Sequence, residues 1–173
     1  MILSTLAHTC LINMDSIEKE KNPTLAKLQE YKKRGFVFHG SPNPDIKILE
    51  PRPSREVDPK RTFNLDTAVF ADKNFISPII FAVVNRPKLI EFAGDYTWHV
   101  RWDPETFIPT AILPSKWEEL IKNSTGTVYV LAGDTFTLEN GAQKKSRVAV
   151  TPTDRVEVTL NDYLEAGGKI IFE

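Results

Sequence analysis

Cysteine and histidine are scarce in this sequence, and their scarcity removes several classes of site. One of the 173 residues is cysteine, Cys10, so the chain has neither a disulfide framework nor a thiolate zinc site. The three histidines, His8, His39 and His99, do not have the spacing of a metal-binding motif, and we expect no metal. A single cysteine is typical of a reducing compartment, so the sequence predicts a cytoplasmic protein.

A charge excess and long apolar runs are also missing. The 22 Lys and Arg residues balance 23 Asp and Glu residues, which leaves a net charge of -1. A dedicated nucleic-acid-binding protein should carry a strong basic excess, so the composition disfavours this class. No apolar run approaches the ~18 residues that a membrane-spanning helix needs, and we expect no membrane partner.

The start of the chain differs in composition from the remainder. Residues 1–14 are mildly apolar, but they lack the basic start and the small-residue cleavage site of a signal peptide. We expect residues 1–22 to form a disordered or loosely packed extension, with either Met1 or Met14 as the start. Residues 23–173 are then expected to form a single domain.

Short strands interrupted by a few helices give the sequence an α+β character. Apolar residues at helical spacing predict a helix over 24–34, with Asn22 or Thr24 as its N-cap and Gly35 after its end. Further patterns predict helices over 75–84 and 115–122 and strands over 36–39, 67–71, 96–102, 127–131, 135–138, 147–151, 156–159 and 169–172. We expect an α+β domain with a mixed or mostly antiparallel sheet.

Side chains suited to helix caps and turns mark several boundaries. Asp72 or Ser77 is expected to cap the helix over 75–84. Ser115 and Glu118 form the capping box of the next helix. An Asn-Gly pair at 140–141 is typical of a tight turn between two strands.

The strand over 36–39 leads into a His-Gly-Ser triplet, residues 39–41, which stands before a Pro-rich connection over 42–65. A strand that ends in polar, backbone-exposing residues beside a loop is suited to hold a small ligand. The connection carries Arg52, whose guanidinium could bind a phosphate. The alternative is a solvated loop whose charges bind nothing.

The triplet and two later features resemble the ADP-ribosyltransferase fold, in the branch of diphtheria toxin and the poly(ADP-ribose) polymerases. That branch has a strand ending in His-Gly-Ser or His-Gly-Thr, a later strand that reads roughly Tyr-Phe-Ala, and a serine in the helix that follows. Here residues 69–72 (Val-Phe-Ala-Asp) are similar to the second motif, and Ser77 falls at the position of the serine. The resemblance covers about residues 36–85 by motif. It implies a split mixed or antiparallel sheet with short helices, and NAD as the substrate.

The resemblance also implies a role for each residue of these motifs. His39 would bond a ribose hydroxyl of NAD, and the main chain of Gly40 would pair with the nicotinamide carboxamide. The hydroxyls of Ser41 and Ser77 would add hydrogen bonds to the ligand. We expect the His39 imidazole and the Ser77 hydroxyl to converge on one hollow of dinucleotide size. The alternatives are a structural role for His39 and helix capping by Ser77.

The stacking position departs from the pattern of that branch. Val69 stands in place of the motif tyrosine. A ring that stacks on nicotinamide would therefore come from Phe81, Phe75 or Phe70. We expect Phe70 and Phe81 to line the cofactor site.

The catalytic glutamate of that branch sits early in a late strand and stabilises positive charge on the ribose, and here it aligns with Ser146 or Arg147. Glu139 and Glu157 are the glutamates nearby, and Glu157 is taken as the catalytic carboxylate together with His39. The resemblance thus implies an NAD-dependent protein that transfers ADP-ribose to an unknown protein or nucleic-acid acceptor by a variant mechanism. The alternative is a non-catalytic module that binds NAD, ADP-ribose or another nucleotide, or an interaction domain.

RNA 2'-phosphotransferases are a sister branch of the same fold. They also use a His-Gly strand and NAD, but they hold phosphate with arginines instead of relying on a glutamate. Arg52, Arg61, Arg101 and Arg147 could serve in that role here.

Overall fold

The computed structural model describes residues 22–53, 64–85, 88, 91, 98–106 and 108–173. The extension predicted over 1–22 lies almost wholly outside the described residues, as do Arg61 and part of the strand predicted over 96–102. The helices include α1 (Pro23–Lys33), α2 (Ile76–Val83), α3 (Glu118–Lys122) and α4 (Leu160–Glu165). In the described part of the chain, no helix is long and apolar enough to cross a membrane.

The strands form a larger and a smaller sheet. They are β1 (Val37–Ser41), β2 (Arg52–Pro53), β3 (Thr67–Asp72), β4 (His99–Trp102), β5 (Pro109–Leu113), β6 (Thr125–Leu131), β7 (Leu138–Asn140), β8 (Gln143–Ser146), β9 (Asp154–Thr159) and β10 (Lys169–Phe172). The larger sheet is antiparallel, in the order β7-β8-β3-β1-β6-β9, and β2 pairs with β3. The smaller sheet has the order β10-β5-β4, with β10 and β5 parallel. Mixed strands with short helices confirm the predicted α+β class.

The boundaries of α1 follow from local sequence signals. The side-chain oxygen of Asn22 accepts a hydrogen bond from the backbone N–H of Leu25 at 3.1 Å, and Pro23 is the first helical residue. After the last helical residue, Gly35 has φ = 82°, a left-handed conformation that glycine adopts at little cost. The chain then enters β1 directly.

The caps predicted for α2 are wrong. The helix begins at Ile76 after Phe75, whose side chain makes no capping bond; the Asn74 side-chain oxygen accepts a hydrogen bond from the backbone N–H of Ile76 at 3.5 Å. Asp72 instead accepts a hydrogen bond from the backbone N–H of Asn74 at 2.7 Å. Ser77 is the second helical residue, so its hydroxyl is not used as an N-cap.

The capping box predicted at Ser115 and Glu118 is also wrong. Ser115 lies in a single 3-10 turn before α3, and this turn has no side-chain cap. A capping box forms at α4, where the hydroxyl of Thr159 accepts from the backbone N–H of Asp162 and the Asp162 carboxylate accepts from the backbone N–H of Thr159.

Tertiary pairing moves the boundaries of several strands. β1 runs through Ser41 because β6 pairs with all five of its residues, so the His-Gly-Ser triplet lies inside the strand. The strand predicted over 147–151 is wrong, because β8 ends at Ser146. The turn predicted at 140–141 is confirmed: it joins β7 to β8, and Gly141 has φ = 60°.

The two faces of β1 contact different parts of the core. Phe38 belongs to the core cluster around α2, and a Cβ built on Gly40 would collide with that helix. Val37 belongs to a second cluster, which includes residues of β3 and β6. Because side chains alternate along a strand, His39 and Ser41 project from the face that carries the second cluster, away from α2.

Lys145 of β8 is a buried cation that is neutralised by Asp66. Its Nζ lies 2.8 Å from the Asp66 carboxylate, and its side chain is 8% exposed. Arg147 donates two further hydrogen bonds to the same carboxylate, at 3.0 and 3.1 Å. These contacts join the start of β3 to the end of β8.

We expect Asp66→Asn to reduce the acid dependence of stability. Hydrogen bonds from Lys145 and Arg147 lower the pKa of Asp66 from 3.8 to about 2. A carboxyl with a depressed folded pKa stabilises the fold above its unfolded pKa, and that contribution is lost as the pH falls from 3.8 to about 2. In urea unfolding between about pH 6 and pH 2, the unfolding free energy of the variant should therefore fall less steeply with pH than that of the wild type.

Asp45→Asn is the matched control for this substitution. The Asp45 carboxylate is 80% exposed and lies 3.8 Å from Arg155, so this variant should keep the wild-type pH profile. An unchanged profile in Asp66→Asn as well would show that the Asp66 ion pairs do not stabilise the fold.

Candidate functional site

The antiparallel ladder between β1 and β3 stops after one pair. Phe38 pairs with Asp72, but β1 residues 39–41 and β3 residues 69–71 face each other without ladder pairing. On its other side β1 pairs with β6 along its full length. We call the interrupted stretch between residues 39–41 and 69–71 the β3 opening. Within the part of the chain that the structure describes, main-chain groups of β1 that point into it have no ladder partner, so they are available to a ligand.

The side chain of His39 spans the β3 opening. Its Nδ1 lies 2.7 Å from the main-chain oxygen of Phe70. A carbonyl oxygen only accepts, so Nδ1 carries the hydrogen and donates it, and Nε2 carries the lone pair. Among the described residues, nothing donates a hydrogen bond to Nε2, so this atom can accept one from a ligand.

The protonation of His39 follows from its surroundings. Burial lowers the pKa of His39 from 6.5, the bond to the Phe70 carbonyl raises it, and the positive charge of Arg52 lowers it. The net direction is downward, so the imidazole is neutral at pH 7. A neutral, half-buried imidazole with a fixed tautomer is a hydrogen-bond acceptor for a ribose hydroxyl.

Gly40 is needed for packing against α2. A Cβ at this position would lie 1.9 Å from the main-chain oxygen of Pro78 and 3.0 Å from the nitrogen of Ala82. The helix therefore fills the space over the Gly40 Cα on this face of β1. What Gly40 still offers a ligand is the edge of its main chain, in the β3 opening.

Ser77 and Phe81 lie on the α2 side of β1. The hydroxyl of Ser77 accepts a hydrogen bond from the indole Nε1 of Trp102 at 3.2 Å. Phe81 is 41% exposed, and its ring centre lies 5.4 Å from that of Trp98. Both side chains project toward β4 rather than toward the imidazole of His39. The expected convergence of His39 and Ser77 on one hollow is therefore wrong, because α2 covers the opposite face of β1.

The remaining predicted ligand contacts lie at or near the β3 opening. Ser41 is half-buried, and its hydroxyl accepts from the backbone N–H of Asn43 at 3.2 Å. Phe70 is half-buried and supplies the carbonyl that binds His39. Arg52 is exposed in β2 and close enough for its charge to act on His39. The opening thus brings together His39, the Phe70 main chain and Arg52.

Glu157, the predicted catalytic carboxylate, does not lie beside His39. It is an exposed residue of β9 and pairs with Thr127 of β6, which in turn pairs with Ser41. Two strand spacings of ~4.8 Å put it about 10 Å from β1, on the side away from β3. A side chain at that distance cannot stabilise charge on a ribose held in the β3 opening.

The position expected for the catalytic glutamate, early in a late strand, does not hold a carboxylate either. β8 begins at Gln143, so an amide stands at the start of this strand, and the aligned Ser146 is its last residue. Glu139 of β7 is ion-paired with Lys73 at 3.0 Å and with Lys144 at 3.6 Å. Among the described residues, no glutamate reaches the β3 opening.

The arginines expected for a phosphotransferase site are dispersed. Arg101 is exposed in β4 of the smaller sheet, and Arg147 is bound to Asp66. Arg61 lies outside the described residues. Arg52 alone of the described members lies close to His39.

Tyr129 and Arg155 were not selected from sequence, yet they lie in one row with His39. His39 pairs with Tyr129 of β6, and Tyr129 pairs with Arg155 of β9. Their side chains therefore share the face of the second cluster. Sequence alone carried no signal for this row, because strand register joins residues that are distant in the chain.

Surface cavities in the described part of the chain include two that lie elsewhere. One, of about 510 Å³, lies between α1, the start of α2 and the end of α4. The other, of about 290 Å³, lies beside Tyr129 and Arg155. Neither is lined by His39, Gly40 or Ser77. Within the described ranges, no cluster of three His, Cys, Asp or Glu residues could hold a metal ion.

The fold and site define an α+β protein with a neutral histidine in an interrupted sheet ladder. Comparison of the chain with protein-family models, curated proteins and solved structures gives no match.

Proposed function

We propose that this chain binds NAD or ADP-ribose in the β3 opening, on a fold similar to that of the ADP-ribosyltransferases. The observation that carries the proposal is the state of His39, a neutral imidazole with Nδ1 bound to Phe70 and Nε2 left as an acceptor. It lies in a gap of the sheet beside an exposed arginine. Two of the three features that resemble this family, the His-Gly-Ser triplet and residues 69–72, fall on the two strands that border the gap.

Three polar groups of the dinucleotide have a counterpart at the β3 opening. A ribose hydroxyl would donate to Nε2 of His39. The diphosphate would pair with Arg52, whose guanidinium is suited to phosphate oxygens. The carboxamide carries both a donor and an acceptor, as do the main-chain groups of Gly40 that lack a ladder partner. The ligand would lie along the gap and not over the Gly40 Cα.

Binding without turnover is favoured over transfer of ADP-ribose. Glu157 is two strands away, and the buried carboxyl nearest the gap, Asp72, accepts a hydrogen bond from Asn74. Burial raises the pKa of Asp72, which weakens its use as an anion. The alternative is transfer to a protein or nucleic-acid acceptor by a mechanism without the usual glutamate.

His39→Ala should weaken NAD binding by about tenfold, the equivalent of one net hydrogen bond of ~1.4 kcal/mol. The measurement is a thermal shift followed by calorimetric titration with NAD and with ADP-ribose. At 100 times the dissociation constant, the ligand should stabilise the wild type by about 2.7 kcal/mol. His99→Ala is the matched control, since His99 is exposed in β4 and should leave the affinity unchanged.

Two results would count against the proposal. The absence of any shift with NAD and ADP-ribose would exclude binding at the β3 opening. Equal affinities in the His39 and His99 variants would place the ligand elsewhere. Release of nicotinamide from NAD by the wild type, lost in His39→Ala, would instead support the transfer reaction.

A further inference from the structure

Each side chain in the row across the sheet forms a hydrogen bond with main-chain atoms of another segment. The row consists of His39, Tyr129 and Arg155. His39 binds the main chain of β3, as described above. Tyr129 and Arg155 both bind the loop of residues 42–49, which begins directly after β1. Three neighbouring strands thus fix the segments on either side of the imidazole.

Tyr129 makes two hydrogen bonds with this loop. Its hydroxyl donates to the main-chain oxygen of Asn43 at 2.6 Å and accepts from the backbone N–H of Ile46 at 3.0 Å. The side chain is fully buried, and burial raises the pKa of Tyr129 above 10.0, so the hydroxyl keeps its proton. Both bonds are therefore present at neutral pH.

Further contacts fix the loop on both sides of Tyr129. Arg155 donates from Nη1 to the main-chain oxygen of Pro44 at 2.6 Å. Leu49 and Val150 exchange two main-chain hydrogen bonds of 2.9 Å. Ile46 packs against the second core cluster. A segment bound at residues 43, 44, 46 and 49 has little freedom to move as a lid.

The position of this loop relative to His39 follows from strand pairing. Side chains directly opposite each other in an antiparallel pair have Cβ atoms ~5 Å apart. The loop is bound to the hydroxyl of Tyr129, the residue opposite His39 in β6, so it lies on the face of the sheet that carries the imidazole, away from α2.

We propose that Tyr129 is a positioning residue that holds the 42–49 loop as a fixed border of the ligand site at His39. The proposal rests on the ligand site proposed above, but the position of the border does not depend on which ligand binds. A border held before binding lowers the ordering cost of binding. It also limits the ligand to the β3 side of His39, where Arg52 lies.

The test compares Tyr129→Phe with Tyr31→Phe. Tyr31 also donates a hydroxyl hydrogen bond, at 2.7 Å, but to Asp154, which lies outside the 42–49 loop. His39 is titrated by NMR of its ring in each protein without ligand, and the affinity for NAD is then measured. We expect the pKa of His39 in Tyr129→Phe to rise toward 6.5 as water reaches the ring, and the NAD affinity to fall about tenfold. Tyr31→Phe should match the wild type in both.

Arg155→Gln is the second variant, for the case in which Tyr129→Phe does not fold. Arg155 is 54% exposed, so the substitution leaves the core intact and removes one tie to the loop. It should move the His39 titration in the same direction by a smaller amount. Wild-type titration of His39 in both variants would overturn the inference. Failure of the wild type to bind NAD, with the His39 titration shifted as expected, would overturn the proposed ligand but not the positioning role.

Discussion

Gly40→Ala is expected to lower the unfolding free energy by about 3 kcal/mol, among the largest effects of any single substitution near the site. The new Cβ would lie 1.9 Å from the main-chain oxygen of Pro78 and 2.7 Å from its carbonyl carbon. A main-chain carbonyl inside a helix cannot rotate away as a side chain can. Relief would require α2 to shift from β1, and α2 also packs closely on Gly126 of β6. Urea unfolding followed by circular dichroism measures the loss.

Gly141→Ala separates this collision from the general effect of replacing glycine. Gly141 has φ = 60°, and a Cβ there would meet nothing within 4 Å. Its replacement should cost about 1 kcal/mol, from backbone conformation alone. If the two variants lost equal stability, α2 would not pack against β1 as closely as described. A folded Gly40→Ala protein should also bind NAD more weakly, because the edge of β1 would have moved.

Phe38→Ala is the second substitution with a large expected effect, a loss of about 3 to 5 kcal/mol. Phe38 is fully buried, and its ring meets that of Phe75 edge-on at a centroid distance of 5.8 Å. Removing the ring leaves a cavity between β1 and the start of α2. That cavity cannot close unless β1, the strand that carries His39, moves. Equilibrium unfolding in urea should show a lower midpoint with little change in slope.

Phe38→Leu is the control that keeps most of the apolar volume. It should cost less than about half of the Phe38→Ala loss, since much of the cavity stays filled. A loss below about 1 kcal/mol for Phe38→Ala would show that this part of the core is not closely packed.

Elements with strong local signals were predicted well from the sequence. The first helix follows from Asn22, Pro23 and Gly35, each of which acts on the backbone within a few residues. The turn at 140–141 is set by the ability of glycine to adopt positive φ. Such features need no knowledge of the rest of the fold.

Strand ends and side-chain faces could not be predicted in this way. Ser41 belongs to β1 only because β6 pairs with it, and β8 ends before Arg147. The sequence pattern around His39 gives the alternation of faces but not which face α2 covers. That choice separates His39 from Ser77, and no local property of either residue encodes it.

The candidate site shows the same division. The sequence placed the triplet at the end of one strand and Phe70 in a later strand, but it did not predict that these strands adjoin. Arg52 lies close enough for its charge to act on His39, and its role in binding a phosphate stays a prediction. The break in the ladder depends on where β1 and β3 separate, which is a property of the whole sheet. Glu157 was misplaced because nothing in its own sequence indicates that β9 lies beyond β6.

The pairing of β1 with β6 also affects the rate at which the chain folds. Val37 pairs with Leu131, a partner far along the chain, while the helix on its other face comes from the intervening segment. This pairing closes a large loop, and the chain entropy is lost before any contact compensates for it. Folding is therefore slow compared with that of helical bundles. Until that closure occurs, an apolar edge ending in the His-Gly-Ser triplet stays uncovered and prone to self-association.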